Sequence, residues 1–312
     1  MSHPCTQPLL NTCIQQLQSG YIDFYGKSES EPITFIDQIA RVVLSKIAQT
    51  DAPYHDLEHT VLVTLAGLEI LRGKQINEGS VSPQDWLNTI VSLLCHDIGY
   101  CKRICRADRL EQRRYATGAD QQTIYLSPET TDASLTPYHV DRGQLFALET
   151  LSRFNLINID TIQHNIELTR FPIPPGKKYQ DTRSYAGLVR AADLIGQLAD
   201  PNYLTKMTQL FREFEEVGTH HSLGYYHPQD LRVAYPDFFY TVVYAYIRDA
   251  LEYLQCTDHG QETVIRLYQN VAIVEREQLT PPPSELRIEH LEFRLDPYLD
   301  HFCLPSISAR YF

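Results

Sequence analysis

Tyr54-His55-Asp56-Leu57-Glu58-His59 opens one run of helically spaced apolar residues, and Cys95-His96-Asp97-Ile98-Gly99 closes the next. In the first run, Leu57, Val61, Leu62, Leu65 and Leu68 form a stripe with the period of an amphipathic helix. Thr50-Asp51-Ala52-Pro53 provides a polar cap and a first-turn proline. The pattern therefore predicts a helix from there to Arg72, ending near Gly73. His55 and His59, four apart, would share one face of it. The second helix is predicted from Ser82-Pro83-Gln84-Asp85 through Trp86, Leu87, Ile90, Val91, Leu93 and Leu94. It ends at His96-Asp97, with Gly99 suited to a left-handed C-terminal position. A polar pair closing so apolar a helix is costly unless something satisfies it, and a metal ion would.

Working outward, helical spacing recurs over Gln7–Gln18 and from Thr34 through Phe35, Ile36, Ile39, Val42, Val43 and Ile47. It recurs again from Pro137 to Phe154, after an Asn158 or Asp160 cap into a helix carrying His164, and over Asp181–Ala199, where Asp193 lies among apolar residues. Asn202–Val217, Pro236–Leu254 and Gln261–Glu277 complete the set. Alternating patterns are scarce, so the fold class is all-α. The expected organisation is a helical lead-in over 1–33, a metal-binding core over 34–200, and a helical extension over 201–312 packed on that core. Residues 100–137 lack a long periodic run. Ser127–Pro137 reads as a loop or lid, and 280–312 as a few short pieces.

The 312 residues are 43% hydrophobic, enough for a large core. A net charge of -12 excludes a protein that coats nucleic acid, because neutralising phosphates needs surplus Lys and Arg. It leaves room for a small phosphorylated ligand. No run approaches the length of a membrane span, and no basic-then-apolar leader is visible. The seven cysteines show no CxxC pair and read as reduced thiols of a cytoplasmic protein. Lys102–Arg114 holds six cations against Asp108 and Glu111, an excess of four. It reads either as a solvated face or as a phosphate-binding rim, with Lys102 and Arg106 as contacts. Arg142, one turn after His139, is a further candidate substrate ligand, as are Arg170 and Arg190. Glu58 reads as solvated, and the His220–His227 loop as surface. Phe238-Phe239-Tyr240 reads as core or as a homodimer contact.

His59, His96, Asp97, His139, His164 and Asp193 are ligand-type residues in or beside successive apolar helices. Imidazole and carboxylate together suit Mn, Fe, Co, Ni or Zn, and carboxylate adds Mg. In this order, and with the contexts YHDLEH, HDIG and AADL, the chain resembles the HD-domain phosphohydrolase superfamily, which includes the cyclic-nucleotide phosphodiesterases. The resemblance covers about residues 35–200. It implies an HD-type helical bundle in which His59, His96, Asp97 and Asp193 bind one metal ion, Asp97 bridges, and His139 and His164 complete a second site. It also implies that His55 protonates a leaving oxygen. The chain departs from the pattern at Tyr100, where many phosphodiesterases have a histidine, and no Gln-x-x-Phe base clamp follows Asp193. The implied activity is hydrolysis of a small phosphoester at two divalent ions, with Asp97 and His55 in the chemistry. Two alternatives stay open: a silent HD module that binds nucleotide as a regulator, and an HD-type di-iron oxygenase.

Overall fold

α3 (Leu57–Glu78) is the axis of the bundle, and α1 (Thr6–Tyr25), α4 (Pro83–Cys95), α7 (Tyr185–Leu198) and α11 (Tyr244–Leu254) pack around it. The structure is a computed structural model that describes residues 6–27 and 30–279; the pieces expected over 280–312 lie outside the described residues. The all-α expectation holds. The described residues also form α2 (Ser30–Ile47), α5 (His139–Phe146), α6 (Ile159–Leu168), α8 (Tyr203–Val217), α9 (Thr219–Leu223), α10 (Pro228–Phe238) and α12 (Asp258–Leu279). The one sheet among them is a small antiparallel hairpin, β1 (Arg114–Ala116) with β2 (Thr123–Tyr125), in which Arg114 pairs with Tyr125.

The core is the apolar phase of these helices. Leu71, Trp86, Leu93, Val189, Ile195 and Ile247 are all fully buried. Burying such a side chain contributes about 1.5–3 kcal/mol. Small residues set the closest approach. A Cβ at Gly196 of α7 would lie 2.6 Å from the Cα of Val63, so α7 and α3 touch backbone to backbone there.

Several boundaries differ from the sequence expectation for identifiable reasons. α3 begins at Leu57, not near Thr50, because Asp56 is its N-cap and accepts the His59 N–H at 3.0 Å. His55 therefore precedes the helix and shares no helical face with His59. α3 also runs past Gly73, where a Cβ would meet the Tyr253 carbonyl oxygen at 1.8 Å. That glycine makes room for α11; the left-handed cap is Gly79, with φ of 65°. Gly99 likewise serves close approach, since a Cβ there would lie 1.8 Å from the His139 carbonyl oxygen. α4 starts after Ser82 as expected, with the serine side chain accepting from the Asp85 N–H. The helix predicted from Pro236 starts at Pro228 and continues through a π turn at Phe239–Val243 into α11. Its start is fixed by Asp230, whose carboxylate accepts the Tyr226 and His227 N–H groups.

The segment expected as a lid is tied down. Its second half forms a 3-10 stretch, Asp132–Tyr138. Glu216 of α8 accepts from the Thr131 N–H at 2.8 Å, the Thr131 hydroxyl at 2.7 Å and the Ser134 hydroxyl at 2.5 Å.

Candidate metal centre

Three helices bring four ligand-type side chains to one point. The first turn of α3 supplies His59, the C-terminus of α4 supplies His96 and Asp97, and the middle of α7 supplies Asp193. Asp97 Oδ2 lies 3.2 Å from His59 Nε2 and 3.1 Å from His96 Nε2. Asp193 Oδ1 lies 3.6 Å and 3.5 Å from the same two nitrogens. Ligands held about 2.1 Å from a single ion sit about 3.0–3.4 Å apart in octahedral or tetrahedral arrangements; the Asp97 separations fall in that range and the Asp193 ones just above it.

Burial makes the match informative. His59, His96 and Asp97 are 3%, 0% and 6% exposed. His59 Nε2, His96 Nε2 and Asp97 Oδ2 are buried and crowd one another without a well-aligned hydrogen bond. Orphaned polar atoms cost about 1–3 kcal/mol each, and three converging on one point call for a common partner. The tautomers agree. His96 Nδ1 donates to the Leu93 carbonyl at 2.7 Å, which leaves the Nε2 lone pair facing the cluster. His139 is oriented the same way, donating from Nδ1 to the Thr136 carbonyl at 2.6 Å, and its Nε2 is 3.9 Å from Asp97 Oδ1.

Electrostatics follow the geometry. Burial disfavours a charged His96, but the Asp97 and Asp193 carboxylates outweigh it and hold its pKa well above the usual value. Burial would raise Asp97, yet His96, His55 and His59 keep it well below the carboxylate range. Burial dominates at His139 and lowers it. A divalent ion would replace the protons these groups share.

His55 stands beside the cluster, its ring centroid 5.3 Å from that of His59. Its Nδ1 pairs with Glu213 Oε2 at 2.5 Å. Glu213, 2% exposed, also accepts the Tyr54 N–H at 2.6 Å and the His55 N–H at 3.1 Å. Burial opposes a charge on His55, but Glu213 and Asp97 push its pKa up to about 9. Tyr100 stacks on the His55 ring at 4.4 Å and 10° on one face, and on the His139 ring at 4.6 Å and 23° on the other.

Other expected site residues are elsewhere. His164 lies on the exposed face of α6, where Asn165 is the buried neighbour and donates to the Ser92 hydroxyl, so the structure does not bring His164 to the cluster. Arg142 is committed to the scaffold. It is fully buried and donates to the carbonyls of Gly99, Cys101 and Ala116 and to Asp108, anchoring the 99–116 segment to α5. Lys102 pairs with Asp132 at 3.0 Å, and Arg106 is exposed and donates to the Glu149 carbonyl. Neither reaches the cluster, and of the two readings of 102–114 their placement favours the one without a phosphate rim. Arg170 pairs with Asp141 and Glu167, and Arg190 donates to the Tyr179 and Asp181 carbonyls. Glu58 is 44% exposed and pairs with Lys206, in keeping with the solvated reading. Cys13, Cys95, Cys101, Cys105 and Cys256 are free thiols.

Glu213 was missed by sequence reasoning. Its signal was an acid in phase with the buried Leu210, three residues on, on an amphipathic helix.

No helix among the described residues is long and apolar enough to cross a membrane. No curated protein matches the chain. Residues 4–277 match an uncharacterised family described as Npun_R2479-like, and the chain belongs to that family.

Proposed function

We propose that this protein is a metal-dependent phosphohydrolase of the HD type, acting on a small phosphorylated metabolite or nucleotide in the cytoplasm. The observation that carries the reading is the convergence of the orphaned His59 Nε2, His96 Nε2 and Asp97 Oδ2 with Asp193. A divalent ion held by those four residues supplies Lewis acidity and a water that ionises near neutral pH. The remaining work falls to the chain's own groups. Glu213 fixes the His55 ring through Nδ1 and favours its protonated form. His55 Nε2 is thereby a general acid poised to donate to a leaving oxygen. Tyr100, packed flat on His55, holds the ring plane. The Lys102, Arg106, Arg142 and Arg170 side chains all have other bonding partners. None of these four is a free arginine or lysine fork, so His55 is the cationic side chain that would meet a phosphoryl oxygen beside the metal.

The test is a panel of aryl phosphates and phosphodiesters offered with Mn, Mg, Co, Ni or Fe. Hydrolysis should appear with at least one metal, and His55→Ala should lose it by about 100-fold or more while keeping its metal. Full metal loading without turnover across the panel would sink the reading and favour a nucleotide-binding regulator. Metal-dependent oxygen consumption instead of hydrolysis would favour an HD-type oxygenase.

A further inference from the structure

We infer that the centre takes one divalent ion per chain, and that Tyr100 is the residue that keeps a second ion out. The inference rests on the metal-centre reading above and sharpens it. A second ion sharing Asp97 would use its other oxygen, Oδ1. The described histidine nitrogen facing that oxygen is His139 Nε2, 3.9 Å away. Among the described residues, His139 joins no group of three ligand atoms lying within 4.8 Å of one another, whereas His59 with His96 and Asp193, and His59 with His55 and Asp97, do. One carboxylate oxygen and one imidazole leave most of a coordination shell to water, against four protein ligands at the first position. His164, which would have completed a second set, is exposed on α6.

The space beside His139 is filled by a ring that binds no metal. Tyr100 is 2% exposed and sandwiched between His55 and His139. The backbone leading into the ring is also held. Gly99 lies so close to the His139 carbonyl oxygen that a Cβ would be 1.8 Å from it, and Arg142 holds the Gly99 carbonyl at 2.7 Å. For Tyr100 to swing away and admit an ion, the ring would have to give up both stacks while its backbone stays held against α5. The His139 imidazole then serves as a wall of the site, its Nε2 free to accept a hydrogen bond from water or substrate.

The test is metal counting by elemental analysis. The full chain is loaded with excess Mn(II), freed of loose metal by gel filtration, and compared with His139→Ala and Tyr100→His. The inference predicts about one ion per chain in the wild type and in His139→Ala, and a rise toward two in Tyr100→His, which puts an imidazole in the place of the phenol. About two ions in the wild type, or a halving on His139→Ala, overturns it. A folded Tyr100→His that stays at one overturns the role given to Tyr100. If that variant does not fold, as judged by circular dichroism, the wild-type and His139→Ala counts still decide the stoichiometry. A wild type that retains no ion overturns the underlying metal-centre reading instead.

Discussion

Replacing Glu213 with Gln should weaken the protein in a pH-dependent way. Gln keeps the shape and a carbonyl oxygen for the Tyr54 and His55 N–H groups, so those two hydrogen bonds survive. What goes is the charge facing His55 Nδ1 at 2.5 Å. The His55 pKa of about 9, against an ordinary 6.5, is a gap of about 2.5 units. At about 1.36 kcal/mol per unit, this is a net preference of about 3 kcal/mol for the charged ring, left after burial has opposed it. Asp97 and Asp193 also favour that charge, so the loss expected for Glu213→Gln is about 2 kcal/mol, the size of one charge-assisted hydrogen bond. The folded-state pKa is raised above the unfolded one. The stabilisation is therefore fully present below about pH 6.5, declines as pH rises, and is gone above about pH 9. The assay is urea unfolding of the chelator-treated wild type and Glu213→Gln at intervals from pH 6 to pH 9.5, which removes any metal contribution. The difference between the two should be largest at pH 6 and close toward pH 9.5. A difference that stays constant across that range would refute the argument, because it would mean that His55 carries no charge for Glu213 to stabilise.

Two further outcomes follow from the fold. Gly73→Ala places a methyl group 1.8 Å from the Tyr253 carbonyl oxygen, so α3 and α11 must separate. A loss of about 3 kcal/mol is expected by thermal or urea unfolding, and a neutral effect would show that the two helices do not meet as described. Arg142→Met should cost about 3–5 kcal/mol by leaving Asp108 and three carbonyls without their donor. Under conditions where it stays folded, its KM should match that of the wild type; a selective rise in KM with unchanged stability would restore Arg142 as a substrate ligand.

The first half of the site was legible because its residues break a pattern. His59, His96, Asp97 and Asp193 are polar groups in apolar helices, and burial without a partner is a cost that sequence alone exposes. Position within a helix was less legible. His164 sits one residue from the buried Asn165, and a shift of one residue is about 100° around the helix. Spacing between motifs does not fix that phase. Gly73 and Gly99 looked like terminators because glycine often ends helices. Here they answer to neighbours, α11 and α5, distant in sequence. Arg142 looked like a phosphate ligand, and only the folded chain shows three carbonyls and Asp108 waiting for it. Glu213 is 158 residues from His55, so no local pattern pairs them.

The most direct test of the central claim is the metal content of the purified wild type beside His96→Ala. His96 is 0% exposed, with its Nε2 aimed at Asp97 and Asp193. The account predicts a divalent ion that survives gel filtration in the wild type and falls below about a tenth of that level in folded His96→Ala. Equal metal in both proteins, or none in a wild type offered every candidate ion, would contradict it.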